Sequence, residues 1–492
     1  MVRRAKGSGE DLDGYVTEVD YPTRLIPQLT PGWIVAVAAW HGAAPPDLRG
    51  PFRMLDIGCG SGIALAMTAA CHPEATFQGI DGMASHIAAG RAFAQGIENL
   101  DLLHVTFDQA LADARPDCDL ITMHGVLTWA GPAARDDAMV LAARRLAAGG
   151  LLVVSYNSFP GAARQLAFQH LVRRFSSDCD TPPGERYEIA FDRVQALADA
   201  GFGAISQTVI DRLADLSGDA PPEYFVHEYL HDGWAPLWPA WVKGKFDAMG
   251  LRYLGQADFV RQIPDFALTP RQRLVVEQAD PDERDLLTDM ALDTPFRIDV
   301  YVREPAPDTT DDPKDGIWLG AEAVAHDRLD VHLPSGSAEF DETIAHRILE
   351  TLEDEPRPYR EIYADVGGSV GAFNRSICAL LAGDLLIPLS PPRSLSEAAK
   401  ELNDALAERA LSGDELPISA LTGRAGPVEA RPVEIAAMSL STEALLVRAD
   451  ADPQFRERFI HRGADMANPV ERRRIAAGLD RLRDRFRRLG VG

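Results

Sequence analysis

Asp56 closes a short apolar run (Met54, Leu55, Ile57), and a glycine turn follows it, Gly58-Cys59-Gly60-Ser61-Gly62. Small residues let backbone N–H groups come close to a ligand, and the alanine-rich stretch 63–70 predicts a helix whose N-terminus faces it. A second acid, Asp81, ends the next strand-like run, 75–80. An acid at that place hydrogen-bonds both hydroxyls of a ribose in nucleotide-binding doubly wound sheets. The three glycines alternate and position 63 is isoleucine, so the GxGxxG spacing is absent. No Gly-Lys-Ser/Thr follows, which excludes a phosphate-cradling loop. These residues predict a nucleoside-bearing ligand held by its ribose, with glycine backbone against the rest.

The elements that must position them alternate regularly. Strands are predicted over 52–57, 75–81, about 100–107, 118–124 and 151–156, with helices over 62–71, 83–96 and 132–148. Strand three is read as ending at Phe107-Asp108, and Gly149-Gly150 as the C-cap of the third helix. This is the pattern of an α/β, doubly wound, Rossmann-like sheet, whose ligands sit at the carboxyl ends of the strands. Asp56, Asp81, Asp108, His124-Gly125 and Tyr156-Asn157 are there, and all are expected to ring one pocket.

Residues 160–235 read as helices without strand signal, a lid over the site. Two further strands, 251–255 and 296–302, the second alternating with period two, make a seven-stranded sheet that closes near 304. The stretch 305–316 is a linker by its Pro, Asp and Thr content. Helices over 341–354, 357–366 and 370–382, with the apolar strand 385–389, resemble a winged helix. No basic stripe accompanies them, so a packing or partner role is expected rather than DNA reading. Residues 393–492 read as a helical tail broken by a loop at 422–433. Its last helix places Ile475, Leu479, Leu482, Phe486 and Leu489 on one face and arginines opposite, a docked helix with a solvated face. The expected division is an N-terminal cap to 40, a core over 41–175, the insert and last two strands over 176–304, a linker over 305–320, a winged-helix-like unit over 321–392, and the tail.

A chain of 492 residues is too long for one core. Its formal charge of −25 argues against a general nucleic-acid binder and suits a basic, lysine-bearing substrate. The five cysteines form no CxxC pair or metal-ligand cluster, and the N-terminus has no apolar signal-peptide core. No stretch approaches a membrane span. A cytoplasmic protein without a metal is expected, its oligomeric state left open.

An acid before a GxGxG turn, with a second acid after the next strand, resembles the S-adenosylmethionine (SAM) site of class I methyltransferases. The run 119–129, Asp-Leu-Ile-Thr-Met-His-Gly-Val-Leu-Thr-Trp, is more specific, as are Ser155-Tyr-Asn-Ser-Phe-Pro-Gly161 and His227-Glu-Tyr-Leu230. Together they resemble the bacterial protein-lysine methyltransferases known from outer-membrane-protein methylation, which carry a methyltransferase regulatory domain after the catalytic sheet. The resemblance covers roughly 15–305 and is looser beyond. Thr128 stands where that family has serine, and Ala162 where it has tryptophan.

The resemblance implies SAM as cofactor. Gly58, Gly60 and Gly62 would face its methionine part, Asp81 its ribose and Asp108 the adenine amino group, and residues 124–129 and 155–161 would flank the methyl. Asp56, Cys59, Gly82, Met83, Phe107, His124 and Gly125 complete the expected cofactor-binding set. A lysine amine must lose a proton before it attacks, and His124 is the first candidate to take it. Tyr156 and Asn157 are candidates to orient the amine, and Trp129 to wall an alkylammonium by cation–π contact. N-terminal aromatics, Tyr15 and Tyr21, are candidates to line the site. Lysine side chains of a protein are the expected acceptor. The alternatives are a small-molecule acceptor or a non-catalytic SAM-binding scaffold.

Overall fold

The computed structural model describes residues 16–112, 115, 117–217, 220–304, 312–322, 329, 331–336, 339–412, 420–452, 454–456, 466–489 and 491. Tyr15 and residues 305–311 of the expected linker lie outside the described residues.

After α1 (Pro31–Trp40), strands and helices alternate as β1 (Arg53–Ile57), α2 (Ile63–Cys71), β2 (Thr76–Asp81), α3 (Ala84–Phe93) and β3 (Leu100–His104). Two short helices, α4 (Phe107–Leu111) and α5 (Val126–Trp129), flank β4 (Cys118–Met123); α6 (Pro132–Arg145) then leads into β5 (Leu146–Asn157). With β6 (Leu251–Gln256) and β7 (Phe296–Arg303) these form a seven-stranded sheet of order β3-β2-β1-β4-β5-β7-β6. The first five strands run parallel, and β7 is antiparallel to both its neighbours.

Alternate strand residues face opposite layers. Met54, Leu120, Val153 and Val300 pack into one, against α1 and α2. Leu55, Ile121, Val154 and Tyr301 pack into the other, which contains Ala138 and Leu141 of α6. Each such fully buried side chain contributes roughly 2 kcal/mol. α1 is apolar all round because a second unit covers its far side. That unit is an antiparallel sheet of β8 (Trp318–Ala321), β9 (Arg357–Pro358) and β10 (Leu386–Leu389), with helices Glu342–Thr351, Tyr359–Val366 and Val370–Ala382. The helix Pro469–Arg488 buries Leu479 and Phe486, while Arg485 pairs with Glu322 and Glu434.

Between β5 and β6, helices α7 (Leu166–Ser176), α8 (Pro183–Asp199), α9 (Gln207–Leu216) and α10 (Pro222–Tyr229) close around Phe168, Val172, Tyr187, Val194, Ile210 and Phe225. The insert therefore has a small core of its own, and α11 (Pro239–Asp247) returns the chain to β6.

Four expectations need correction. β3 ends at His104, and Phe107 and Asp108 open α4 instead. Thr106 starts that helix: its N–H donates to Gln109 Oε1 at 3.1 Å and its hydroxyl to Asp108 Oδ1 at 2.5 Å. Gly149-Gly150 does not cap α6; the helix stops at Arg145, and the pair lies in a bulge where β5 slips against β4 between Cys118 and Leu120. Residues 420–429 hold an antiparallel hairpin rather than an irregular loop. Trp318–Ala321, counted with the linker, pairs with both β9 and β10.

Candidate active site

A cavity of ≈ 400 Å³ opens at the carboxyl ends of β1, β2 and β4. Its floor is the glycine turn, tied to β2 by the Gly58 and Cys59 N–H groups, which both donate to Ile80 O (2.9 and 3.0 Å). Gly58 has φ +74°, and a Cβ there would stand 2.4 Å from Val126 Cγ2. α3 closes on the other side of the turn so tightly that a Cβ at Gly90 would lie 1.8 Å from the Ser61 carbonyl oxygen.

Two acids face this floor. Asp81 Oδ2 accepts from Gly60 N–H at 3.0 Å, and Oδ1 accepts from Met83 N–H at 2.8 Å with His86 Nδ1 3.3 Å away, leaving lone pairs on Oδ2 for a ligand. Asp56 accepts from Thr122 Oγ1 at 2.8 Å. Burial, and then the nearby charge of Asp81, push its carboxyl up to about 6.

The mouth is crossed by the N-terminal strap, residues 16–30, which contributes Tyr21, Pro22, Thr23, Arg24, Ile26 and Leu29 to the wall. Three imidazoles hold it. Val16 N–H donates to His231 Nδ1 (2.9 Å), Tyr21 N–H to His86 Nε2 (3.1 Å), and His227 Nε2 to the Val19 carbonyl (2.9 Å). The Thr23 and Ser61 hydroxyls lie 2.7 Å apart. Of this strap the sequence pointed only to Tyr21. His227 stands in the 227–230 motif, but nothing local ties it, His86 or His231 to the strap, because each bond joins distant segments.

The expected residues divide into two groups. Asp56, Gly58, Cys59, Gly60, Asp81, Gly82, Met83, Phe107, Asp108, His124 and Trp129 line the cavity. Gly62, Gly125, Tyr156 and Asn157 do not. Gly62 caps α2, where a Cβ would meet Leu102, and Gly125 starts α5 with its N–H on Ser155 Oγ at 2.9 Å. Tyr156 has no exposed surface, and its hydroxyl donates to Asp299 Oδ2 at 2.6 Å. Asp299 and Asp289 are buried beside Arg297, which pairs with both. Tyr156 thus belongs to a buried ionic cluster behind β7. Asn157 points to the insert, its amide donating to Glu228 Oε1 at 2.7 Å.

His124 lines the cavity, its Nδ1 2.7 Å from Ser155 Oγ. Burial pulls the imidazole down to about 4, so it is neutral near pH 7 and a weak base. Trp129 packs on Tyr21 with ring centroids 5.3 Å apart, and its indole N–H has no partner among the described residues.

These features fit SAM. The volume is that of a small-ligand site, the Gly60 backbone faces open space that a side chain would enter, and Asp81 presents acceptors where a ribose is held.

Comparison with known proteins agrees. Residues 55–152 match the family model described as a methyltransferase domain, and residues 221–303 the one described as a predicted methyltransferase regulatory domain. An uncharacterised Synechocystis protein is 25% identical over 362 residues, 72% of this chain and 71% of that one. An uncharacterised Rickettsia prowazekii protein is 26% identical over 166 residues, 33% of this chain and 66% of its own length. Among solved structures, PKMT2 from Rickettsia typhi in complex with AdoHcy superposes with a TM-score of 0.68 at 16% identity, covering 96% of this chain and 100% of that one. At that identity the likeness concerns the fold. With the cofactor loop and the methyltransferase-domain match in agreement, the chain is a SAM-dependent methyltransferase, and its residues 221–303 match the methyltransferase regulatory domain.

Proposed function

We propose that this methyltransferase acts on an amine, the side-chain amine of lysine in a protein. The observation that carries the reading is the aromatic corner of Tyr21 and Trp129 at the cavity wall, 5.3 Å between ring centroids, which suits an alkylammonium. The full-length likeness to PKMT2 and the formal charge of −25, which favours a basic partner, point the same way.

In this reading Gly58, Cys59 and Gly60 lie along the methionine part of SAM, Asp81 takes the ribose hydroxyls, and Asp108, at the open edge, takes the adenine amino group. The strap closes over them through Tyr21 and Thr23. Bound SAM supplies an electrophilic methyl: the acceptor's nitrogen lone pair forms the N–C bond as the C–S bond breaks with its electrons going to sulfur.

The protein must align the amine and remove its proton. A lysine ammonium titrates at about 10.4, whereas burial holds the His124 imidazole down to about 4, which makes it a poor acceptor for that proton. In this reading His124 shapes the cavity wall.

The test is incubation of the purified protein with methyl-labelled SAM and a host-cell extract, followed by separation of protein from small molecules. Label on protein lysine, located by mass spectrometry, is the expected result. Label confined to small molecules replaces lysine with a metabolite acceptor. SAM binding without any transfer replaces the enzyme reading with a scaffold.

A further inference from the structure

Glu228 on α10 is half-buried, and among the described residues its one hydrogen bond is the 2.7 Å contact from the Asn157 amide. Among the described residues no cation stands within ion-pair distance of it. A carboxyl drawn out of water with no ion pair, and only the more distant charge of Arg212 to offset it, is costly and calls for an explanation.

Its surroundings supply one. Tyr21, Tyr187, Tyr224 and Tyr229 all lie within its field. Tyr21 is a wall of the cofactor cavity, and its ring stands 5.3 Å from Trp129 and 6.3 Å from Tyr224. The carboxyl is not part of the cavity wall; it stands one helical turn along α10 from Tyr224, whose ring meets Tyr21 of that wall. Asn157 holds it there rigidly: its own N–H donates to Thr128 Oγ1 at 2.7 Å and its carbonyl accepts from Leu237 N–H at 2.9 Å. Thr128, which replaces the serine expected from the resemblance, keeps the hydroxyl this needs. Phe296, the register partner of Asn157, faces His124 with centroids 6.0 Å apart. Negative charge, aromatic faces and an anchored amide between insert and core make a seat for an alkylammonium.

We propose that Glu228 of the regulatory insert binds the acceptor's ammonium group and takes its proton, an inference that rests on the amine-transfer reading above. In that step one N–H bond of the ammonium breaks, its electron pair stays on nitrogen, and the proton bonds to a Glu228 oxygen. The proton then passes to water, restoring the carboxylate. Asn157 is a positioning residue, acting through Glu228. Burial pushes the Glu228 carboxyl up to about 7, the Asn157 bond and Arg212 opposing the shift. Burial thus raises the proton affinity of the Glu228 carboxylate while it lowers that of the His124 imidazole. The four tyrosines around it are all raised by burial and stay protonated throughout its titration.

Two measurements test this. In the first, n-butylammonium, a lysine-tip probe, is titrated by calorimetry into the full-length protein saturated with S-adenosylhomocysteine, at about pH 6 and about pH 8. Wild type binds tighter at the higher pH. Glu228→Gln, whose amide oxygen still accepts from Asn157, loses about tenfold in affinity. Glu228→Asp restores part of it, and n-butanol does not distinguish the three proteins. Equal butylammonium affinity in wild type and Glu228→Gln overturns the inference. In the second, methyl transfer to extract protein falls about 100-fold in Glu228→Gln with SAM affinity unchanged. Lysine labelled equally by both proteins overturns the inference and leaves the amine reading intact. Label found only on oxygen or carbon, with butylammonium still held through Glu228, overturns the reading and supports the ammonium seat.

Discussion

His86 Nε2 accepts the backbone N–H of Tyr21 at 3.1 Å while its Nδ1 lies 3.3 Å from Asp81 Oδ1. One imidazole thus joins the strap over the cavity to the acid beneath it. His86→Ala removes both links, and SAM affinity is expected to fall about tenfold, the equivalent of one buried hydrogen bond. Calorimetric titration checks this; unchanged affinity means that the strap does not help hold the cofactor.

Asp81 accepts from two backbone N–H groups of the loop and the α3 N-terminus. In Asp81→Asn one oxygen becomes an NH₂ facing a donor, so the loop and the ribose site are disturbed together. SAM affinity should drop by about 100-fold or more. Thermal stability measured without cofactor should change far less, and a large fall in Tm with affinity retained would assign Asp81 to the fold instead.

Gly90 and Gly244 separate two kinds of helical glycine. A Cβ at Gly90 would lie 1.8 Å from the Ser61 oxygen, whereas Gly244 in α11 has open space around it. Gly90→Ala should destabilise by about 1–3 kcal/mol and weaken SAM binding, because the turn must shift. Gly244→Ala should stabilise by about 0.5–1 kcal/mol through helix propensity. Denaturant melts of the two variants decide both signs.

Burial holds His72, His124 and His227 down at about 4, from the ordinary 6.5, and His231 well below its usual value. Between those limits the unfolded chain binds more protons than the native one, so stability falls as pH drops from 6.5 toward 4. For fully buried His72 the loss is on the order of 3 kcal/mol. Melts across this range, repeated on His72→Gln, should show a shallower acid slope in the variant. An unchanged slope would place the acid lability elsewhere.

Tyr156→Phe tests the correction made at β5. The Asp299 carboxylate loses a buried donor, and stability should fall by about 1–2 kcal/mol. Methyl transfer to extract protein and SAM affinity should be unchanged. A fall in transfer rate without a fall in stability would return Tyr156 to the site.

Features whose cause is local follow from the chain alone. Period-two apolar runs, alanine-rich helices and the Asp56–Gly62 turn specify a strand–turn–helix within a few residues. The same reasoning places Asp81 and His124 at strand ends, and β1, α2, β2 and β4 stand close to where their periodicity puts them. The start of α4 was equally legible, since Thr106 and Gln109 form a capping pair three residues apart.

Tertiary structure alone decided which way the last residues of β5 point. Successive strand side chains alternate between faces, so of Tyr156 and Asn157 only the packed sheet says which meets what. Antiparallel pairing with β7 puts Tyr156 opposite Arg297 and sends its hydroxyl to Asp299, 143 residues away. Asn157 takes the other face and meets Glu228, 71 residues on. The strap over the cavity is of the same kind: His231 reaches Val16 across 215 residues. Spacing along a chain encodes strands, turns and caps because their hydrogen bonds are short-range. It does not encode which distant polar groups satisfy one another, because that follows from how the sheet, the insert and the strap close together.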